Sequence, residues 1–193
     1  MTNQIVNIRG CNGSGKTTIV RRFLDKLPTQ ALGGKPSKPA GYRVDATSWG
    51  IMLPVFIVGS YENTCGGTDG ISTQEEIAER TTKAHGHGHV LVEGLLMSKS
   101  SAGGHVAPIL KDHGAIFGFL DTPWDTCLSR VLARRAAAGN EKVFDPEKTM
   151  RSAYEQCHRS AELLTQAGGY DVRWIDHNNA VGTVVQYLKD AEV

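Results

Sequence analysis

The feature that most constrains this chain is a glycine-rich loop close to its start. Residues 10–17 read GCNGSGKT and match the pattern G-x-x-x-x-G-K-[ST] at every fixed position. A short apolar run, Gln4–Ile8, precedes the loop, and a stretch with helical apolar spacing follows it as far as Pro28. When such a loop joins a strand to a helix, its main-chain N–H groups and the positive end of the helix surround a phosphate. The sequence therefore predicts a nucleoside triphosphate site.

Each residue type in this loop has a role in binding a triphosphate. The glycines let the backbone turn tightly enough to direct its N–H groups inward. Lys16 can reach the β- and γ-phosphates and act in catalysis, and the Thr17 hydroxyl can ligate Mg²⁺. We expect ATP and Mg²⁺ to be the cofactors. The residues expected to bind the nucleotide are Gly10, Asn12, Gly13, Ser14, Gly15, Lys16, Thr17 and Thr18.

Composition limits the classes of partner. Lys plus Arg is 21 and Asp plus Glu is 20 in 193 residues, a formal net charge of +1, which calls for neither a nucleic-acid coat nor a membrane surface. The 4 cysteines form no C-x-x-C pair and are typical of free thiols in a reducing compartment. No apolar run approaches the roughly 20 residues that span a bilayer. These features favour a cytoplasmic protein with one domain, residues 1–193.

Strand-like and helix-like segments alternate along most of the chain. Val- and Ile-rich runs separated by amphipathic stretches predict an α/β fold with a mostly parallel sheet covered by helices on both faces. The segment Thr29–Gly41, rich in Gly, Pro and Lys, is expected to be a long mobile loop. Residues 124–137 are expected to form a helix with Cys127, Leu128, Val131 and Leu132 facing inward, and residues 147–167 another helix.

Two acidic residues stand where a phosphate site could use them. Glu93 ends the apolar run HVLVE, and a carboxylate at the end of a strand beside the first one could hold Mg²⁺. The alternative is a surface acid at a strand end. Asp69 follows two glycines in CGGTDG and could accept the proton of an acceptor hydroxyl, or it could simply cap a helix. Asp45 is a weaker candidate for the role of Asp69, and Asp121 in FLDTP is expected to cap or order a loop.

Arginines on the predicted helix 124–137 indicate a mobile lid. Arg130 and Arg134 are four residues apart and therefore share a helix face. Arginines that close over a γ-phosphate stabilise the charge that develops during phosphoryl transfer. A lid at about residues 130–146 would bring them there and exclude water. The alternative is a solvated basic face of the helix.

The motifs exclude some nucleotide-binding classes and resemble others. There is no guanine-reading NKxD sequence, as in GTP switch proteins, and no LSGGQ-like signature of transporter ATPases. A phosphate loop, an acid at a strand end and an arginine-bearing helix in a chain this short resemble the nucleoside and nucleotide kinases. This resemblance implies the three-layer sandwich of the P-loop NTPases, with a small lid.

The segment PVFIVGSYENTCGGTDGI resembles a narrower group. Its pattern G-x-Y…CGG-x-D is similar to a signature of the phage P-loop kinases that act on 5-hydroxymethyluracil in DNA. The resemblance implies transfer of the γ-phosphate of ATP to the hydroxymethyl group of the base, as a step in phage DNA hypermodification. It also implies that the residues carrying the pattern face the acceptor: Tyr61, Cys65, Gly66, Gly67 and Asp69, after Gly59.

Three functions remain open from the sequence. The first is the DNA kinase, for which the base would flip out of the stack and could stack on Tyr61 or Trp49. Lys35, Lys38 and Arg43, a basic stretch without acids, could contact DNA phosphates. The second is a kinase for a free nucleoside, nucleotide or small hydroxyl metabolite. The third is a non-catalytic ATP-binding switch or DNA-binding module.

Overall fold

The strands of this protein form one sheet with helices on both faces. The computed structural model describes residues 1–62, 66–94, 106–139, 145 and 147–193. Within them the strands are β1 (Ile5–Arg9), β2 (Thr29–Lys35), β3 (Lys38–Val44), β4 (Val55–Val58), β5 (His89–Glu93), β6 (Ile116–Asp121) and β7 (Asp171–Asp176). The helices are α1 (Lys16–Lys26), α2 (Gln74–His85), α3 (Val106–Asp112), α4 (Trp124–Ala137), α5 (Ser152–Ala167) and α6 (Ala180–Asp190).

The sheet has seven strands in the order β2-β3-β4-β5-β1-β6-β7. The strands β4, β5, β1, β6 and β7 run parallel, and β2 and β3 are antiparallel at one edge. This is the predicted α/β class, and the arrangement is that of a P-loop kinase. Because β5 and β6 flank β1, the loops after these three strands meet at the carboxyl edge of the sheet.

Alternation along β1 sends its side chains to two separate cores. Val6 and Ile8 pack with Ile19, Val20 and Phe23 of α1, and this core continues to α6. Ile5 packs on the opposite face with residues of α2, α3 and α5. Both faces of the sheet are therefore covered, as the near-continuous apolar strands predict.

The segment Thr29–Gly41 was expected to be a loop, and this expectation is wrong. It forms β2 and the first part of β3, paired as an antiparallel hairpin whose turn is Pro36 and Ser37. Its polar residues misled the prediction because β2 is an edge strand with an exposed face. Pro39 is tolerated because it lies beyond Gly41, where the pairing of β3 with β4 ends.

One expectation about helix α4 is also corrected. Leu132 was expected to face inward, but its side chain is 44% exposed, while Cys127 and Val131 of the same helix are buried. The helix expected over residues 147–167 is confirmed with the same bounds: a π-helical turn, Glu147–Arg151, leads directly into α5. None of the helices built by the described residues has both the length and the apolar character needed to cross a membrane.

Candidate active site

The glycine-rich loop connects β1 to α1 at the carboxyl edge of the sheet. Gly13 has φ 82° and Gly15 has φ 107°, values that favour glycine. A side chain on Gly13 would also collide with the main-chain oxygen of Cys127 in α4. The first turn of α1 contains no acidic residue that would neutralise its positive end. The loop therefore presents an uncompensated set of N–H groups, as a phosphate site requires.

Lys16 lies across this loop. Its Nζ donates hydrogen bonds to the main-chain oxygens of Gly10 at 2.8 Å and Cys11 at 3.0 Å. These contacts hold the ammonium group over the loop at the mouth of the cleft. A triphosphate bound there would offer the ammonium stronger, charged acceptors than two carbonyl oxygens.

A cleft of about 470 Å³ opens beside the loop. It brings together the phosphate loop, the end of β5, the turn after β4 and helix α4. The residues that line it are Asn12, Gly13, Gly15, Lys16, Thr17, Thr18, Gly66, Thr68, Asp69, Glu93, Gly94, Arg130 and Arg134. Most of the residues singled out in the sequence therefore share one cavity, although they come from four separate parts of the chain.

Glu93 lies at the bottom of this cleft. Residues Ile8 and Glu93 are paired in the register of β1 and β5, which places the carboxylate beside the phosphate loop. Its Oε1 accepts a hydrogen bond from the Thr17 hydroxyl at 3.0 Å. The residue is only 3% exposed, and burial raises the pKa of the carboxyl to about 7, against the opposing influence of Lys16. The second oxygen, Oε2, is buried and makes no hydrogen bond within the described part of the chain.

This pair of groups suits a hard cation. A hydroxyl and a carboxylate with an unused buried oxygen are the donors that Mg²⁺ prefers, next to a place for phosphate oxygens. No cluster of three or more His, Cys, Asp or Glu side chains that could hold a metal occurs among the described residues. The fit is thus to a cation shared with a phosphate ligand rather than to a metal caged by protein alone.

Asp69 lies on a short 3₁₀ turn, Thr68–Gly70, that is attached to the end of β5. The Thr68 hydroxyl donates to the main-chain oxygen of Glu93 at 2.8 Å. Gly67 has φ 95°, and a side chain there would meet Oε1 of Glu93 at 2.6 Å. The paired glycines therefore let the turn approach Glu93 closely, and they leave the exposed carboxylate of Asp69 in the cleft.

Tyr61 does not line the cleft. It is 3% exposed and packs in the core beside Tyr42, whose hydroxyl accepts a hydrogen bond from the Tyr61 N–H at 3.0 Å. The expected stacking of a base on this ring is therefore not available in this arrangement. Burial and the nearby Glu93 charge raise the pKa of Tyr61 well above its usual value, so its hydroxyl stays protonated behind the Glu93 carboxylate. Trp49 packs edge-on against Phe23, and Cys65 lies outside the described residues.

Helix α4 brings two arginines to the cleft. Arg130 donates from Nη1 to the main-chain oxygens of Gly13 and Ser14, each at 3.3 Å, and Arg134 lines the cleft one turn later. The first part of the expected lid, up to residue 139, belongs to α4 and the turn after it. Residues 140–144 and 146 of that lid lie outside the described residues, so its closure stays a prediction.

The sequence analysis missed the contacts that attach α4 and the turn before it to the phosphate loop. The thiols of Cys11 and Cys127 are in contact, with their sulfur atoms 3.3 Å apart, and both are buried. The Thr122 hydroxyl donates to the main-chain oxygen of Ser14 at 3.0 Å. Neither contact has a local sequence signal, because each joins residues more than 100 positions apart.

A second cavity, of about 540 Å³, lies on the other side of the phosphate loop. Gly15, Thr18 and Arg130 line both cavities, and the far wall of the second is formed by residues 177–182, which are the loop after β7 and the start of α6. The sequence signal available for this wall was its position after the last predicted strand, at the carboxyl edge of a parallel sheet.

Comparison with known proteins places the chain among phage enzymes, although no family model matches it. It is 30% identical over 189 residues to the 5-hmdU DNA kinase of Pseudomonas phage PaMx11, covering 96% of this chain and 97% of the relative. It is 26% identical to that of Pseudomonas phage M6, covering 95% and 98% of the two chains. The third relative, of Delftia phage PhiW-14, is 28% identical over 74% of this chain and 57% of its own. The chain belongs to the family of phage 5-hmdU DNA kinases.

Proposed function

We propose that this protein transfers the γ-phosphate of ATP to the 5-hydroxymethyl oxygen of 5-hydroxymethyluracil in DNA. The observation that carries the proposal is the single cleft in which the phosphate loop, Glu93 and Asp69 meet. The family relationship supports 5-hydroxymethyluracil in DNA as the acceptor. Two relatives that align with this chain over nearly their whole length carry the name 5-hmdU DNA kinase. Such a reaction is a step in hypermodification of phage DNA, and it would take place in the host cytoplasm.

The two cavities suit the two ends of ATP. The triphosphate would lie along the phosphate loop, and the nucleoside would occupy the cavity bounded by residues 177–180 and Trp49. Gly15 and Thr18 line both cavities and would lie where the two parts of the nucleotide join. ATP is proposed over GTP because the chain contains no guanine-reading motif.

The acceptor would enter on the side of Asp69. In the proposed step the oxygen of the hydroxymethyl group attacks the γ-phosphorus, and the carboxylate of Asp69 takes the proton of that hydroxyl. A new P–O bond forms to the base, the bond between the γ-phosphorus and the β,γ-bridging oxygen breaks, and ADP leaves. The target base must leave the DNA stack to reach the cleft. Gly66, beside Asp69, lines the cleft there, while Gly67 gives room to Glu93.

Positive charge on both sides of the cleft would stabilise the transferring phosphoryl group. Lys16 approaches from the phosphate loop, and Arg130 and Arg134 approach from α4. Thr17 and Glu93 would hold Mg²⁺, which when bound supplies further neutralisation of the phosphate oxygens. Glu93 would orient the Thr17 hydroxyl through the hydrogen bond already present.

Transfer of label from γ-labelled ATP tests the proposal. Three acceptors are compared: DNA containing 5-hydroxymethyluracil, the same DNA containing thymine, and the free nucleoside 5-hydroxymethyl-2′-deoxyuridine. The proposal predicts label in the first DNA and none in the second. Label confined to the free nucleoside would identify a nucleoside kinase, and ATP binding without any transfer would identify a non-catalytic module.

A further inference from the structure

The hairpin β2–β3 projects past the carboxyl edge of the sheet, next to the acceptor side of the cleft. The pairing of β3 with β4 ends at Gly41 and Val58, so Lys38–Ala40 and the facing part of β2 extend beyond β4. At about 3.3 Å per residue, the tip stands roughly 10 Å beyond this strand end. Parallel strands β4 and β5 end at the same edge, and Glu93 is the last residue of β5.

The tip carries two lysines, and one of them reaches the neighbour of Asp69. Lys35 and Lys38 are paired with each other across the hairpin, and both are exposed. The side chain of Lys38 passes Gly70, the neighbour of Asp69: a side chain on Gly70 would meet its Cε at 3.1 Å and its Nζ at 3.4 Å. The ammonium group of Lys38 therefore lies beside the residue that follows Asp69, the proposed general base.

A groove of about 360 Å³ continues from the hairpin along α2. Its floor is apolar, formed by hairpin and β4 residues that include Leu32, Ala40 and Phe56. The basic side chains that line it are Arg80, Lys83 and His87, and no carboxylate lines it within the described residues. Arg80 also donates to the Ala40 main-chain oxygen at 3.2 Å and pairs with Glu76, so it joins α2 to the hairpin.

We propose that the hairpin tip and this groove form the DNA-docking surface of the enzyme, which rests on the function proposed above. The DNA strand that carries the target base crosses the tip with its phosphates beside Lys35 and Lys38. It then continues along the groove, with bases against the apolar floor and phosphates beside Lys83. Cationic rims over an apolar floor are how proteins hold a nucleic-acid strand without reading its sequence. A formal net charge of only +1 is compatible with this role because the surface needs only a few local cations, which the hairpin and α2 supply.

The test compares variants of the docking surface with a charge-matched control. The tip variant is Lys35→Ala/Lys38→Ala, and the groove variant is Lys83→Ala. The control is Arg159→Ala/Lys189→Ala, on α5 and α6, the helices that pack against β7 at the other edge of the sheet. For each protein, KM for DNA containing 5-hydroxymethyluracil is measured over a series of salt concentrations, together with KM for ATP and the melting temperature.

The tip variant is expected to raise KM for DNA on the order of tenfold and to reduce the slope of log affinity against log salt by roughly 1.5, because two phosphate contacts are lost. The groove variant should reduce the slope by somewhat less than 1. KM for ATP and the melting temperature should match those of the control.

Two negative results are distinguishable. If the unmodified protein transfers phosphate to this DNA, but tip and control variants give equal KM and equal salt slopes, the docking surface is wrong and the proposed function stands. If the unmodified protein transfers no phosphate to DNA, the proposed function fails, and the docking surface fails with it.

Discussion

Strand β5 begins and ends with a buried titratable residue, and the two ends differ in how completely their polar atoms are paired. At its start, His89 accepts a hydrogen bond from the Gln4 N–H at 3.0 Å and is bonded through Nε2 to Glu192 at 3.1 Å. Glu192 in turn accepts hydrogen bonds from the N–H groups of Met52 and Leu53. At its end, Glu93 accepts one hydrogen bond, from Thr17, and its second oxygen is buried near the Tyr61 hydroxyl, with neither of these two atoms hydrogen-bonded within the described chain.

The difference predicts a different role for each end of the strand. Buried polar groups in proteins are nearly always hydrogen-bonded, so an exception needs a reason. The His89 network is complete and joins the chain terminus to the sheet, which is a structural role. Glu93 is incomplete and lies in a cleft lined by Lys16 and Asp69, which is the expected condition of a site that awaits a ligand. The predictions below test this contrast.

The largest expected effect is on catalysis at the Glu93 end. Glu93→Gln keeps the shape of the side chain but removes the charge, so phosphate transfer should fall by about 10²–10³-fold. Steady-state transfer from γ-labelled ATP measures the loss. Glu192→Gln is the matched change at the other end, and its transfer rate per folded molecule should equal that of the unmodified protein. Equal losses in the two variants would contradict the contrast.

Glu93→Gln should reduce catalysis but increase the stability of the folded protein at high pH. The folded-state pKa of Glu93 is raised from 4.5 to about 7, so the folded protein binds more protons than the unfolded chain between those values. Stability is therefore lost as pH rises through this range, by up to about 3 kcal/mol. Without Mg²⁺ and ATP, Glu93→Gln should unfold at higher denaturant concentration than the unmodified protein at pH 8, and at a similar concentration at pH 4.5.

His89, at the other end of β5, is expected to contribute to the loss of stability at low pH. Burial lowers the pKa of His89, and Glu192 only partly opposes this, so the folded protein prefers the neutral ring. The stability that the neutral His89 ring contributes is fully present above its pKa in the unfolded chain, near 6.5. This stability is lost as pH falls through the lower pKa that His89 has in the folded protein. His89→Ala should cost about 2–4 kcal/mol at pH 7.5, because it leaves a cavity and an unpaired Gln4 N–H. The rate of phosphate transfer by the folded fraction should not change.

The smallest expected effect concerns the approach of the Asp69 turn to Glu93. Gly67→Ala would place a methyl group against Oε1 of Glu93 and should lower transfer about tenfold through displacement of the carboxylate. Gly168→Ala is the control, since Gly168 has φ 71° and no heavy atom within 4 Å of the added carbon. Both variants should lose about 1–3 kcal/mol of stability from backbone strain, because both glycines have a positive φ with an extended ψ that residues with a side chain rarely adopt. Equal transfer rates would show that the turn has no influence on Glu93.

Local patterns in the sequence predicted much of this molecule. The strand–loop–helix order around residues 10–17 and the placement of Glu93 at the end of a strand beside β1 follow from residues close together in the chain, and the structure confirms them. The DNA kinase family was also predicted, from the CGG-x-D pattern, and the relatives confirm it. The roles of Lys16, Asp69, Arg130 and Arg134 in catalysis stay predictions.

What the sequence did not predict depends on contacts between distant residues. Tyr61 has the same residue type whether it faces a ligand or a core, and only its packing against Tyr42 decides. The hairpin β2–β3 is polar and glycine-rich, so its composition does not predict strands. It forms strands because β3 pairs with β4, a contact between distant parts of the chain. The Cys11–Cys127 contact joins two thiols that no spacing rule connects.

The central claim is that the cleft transfers a phosphoryl group to the hydroxymethyl oxygen of a base in DNA. The most direct test incubates the protein with ATP, Mg²⁺ and DNA containing 5-hydroxymethyluracil, digests the DNA to nucleosides, and identifies the modified base by mass spectrometry. We predict a base that has gained one phosphoryl group on its hydroxymethyl oxygen, with almost none formed by Lys16→Ala. An unmodified base after incubation with protein that binds ATP, or equal product from Lys16→Ala, would contradict the account.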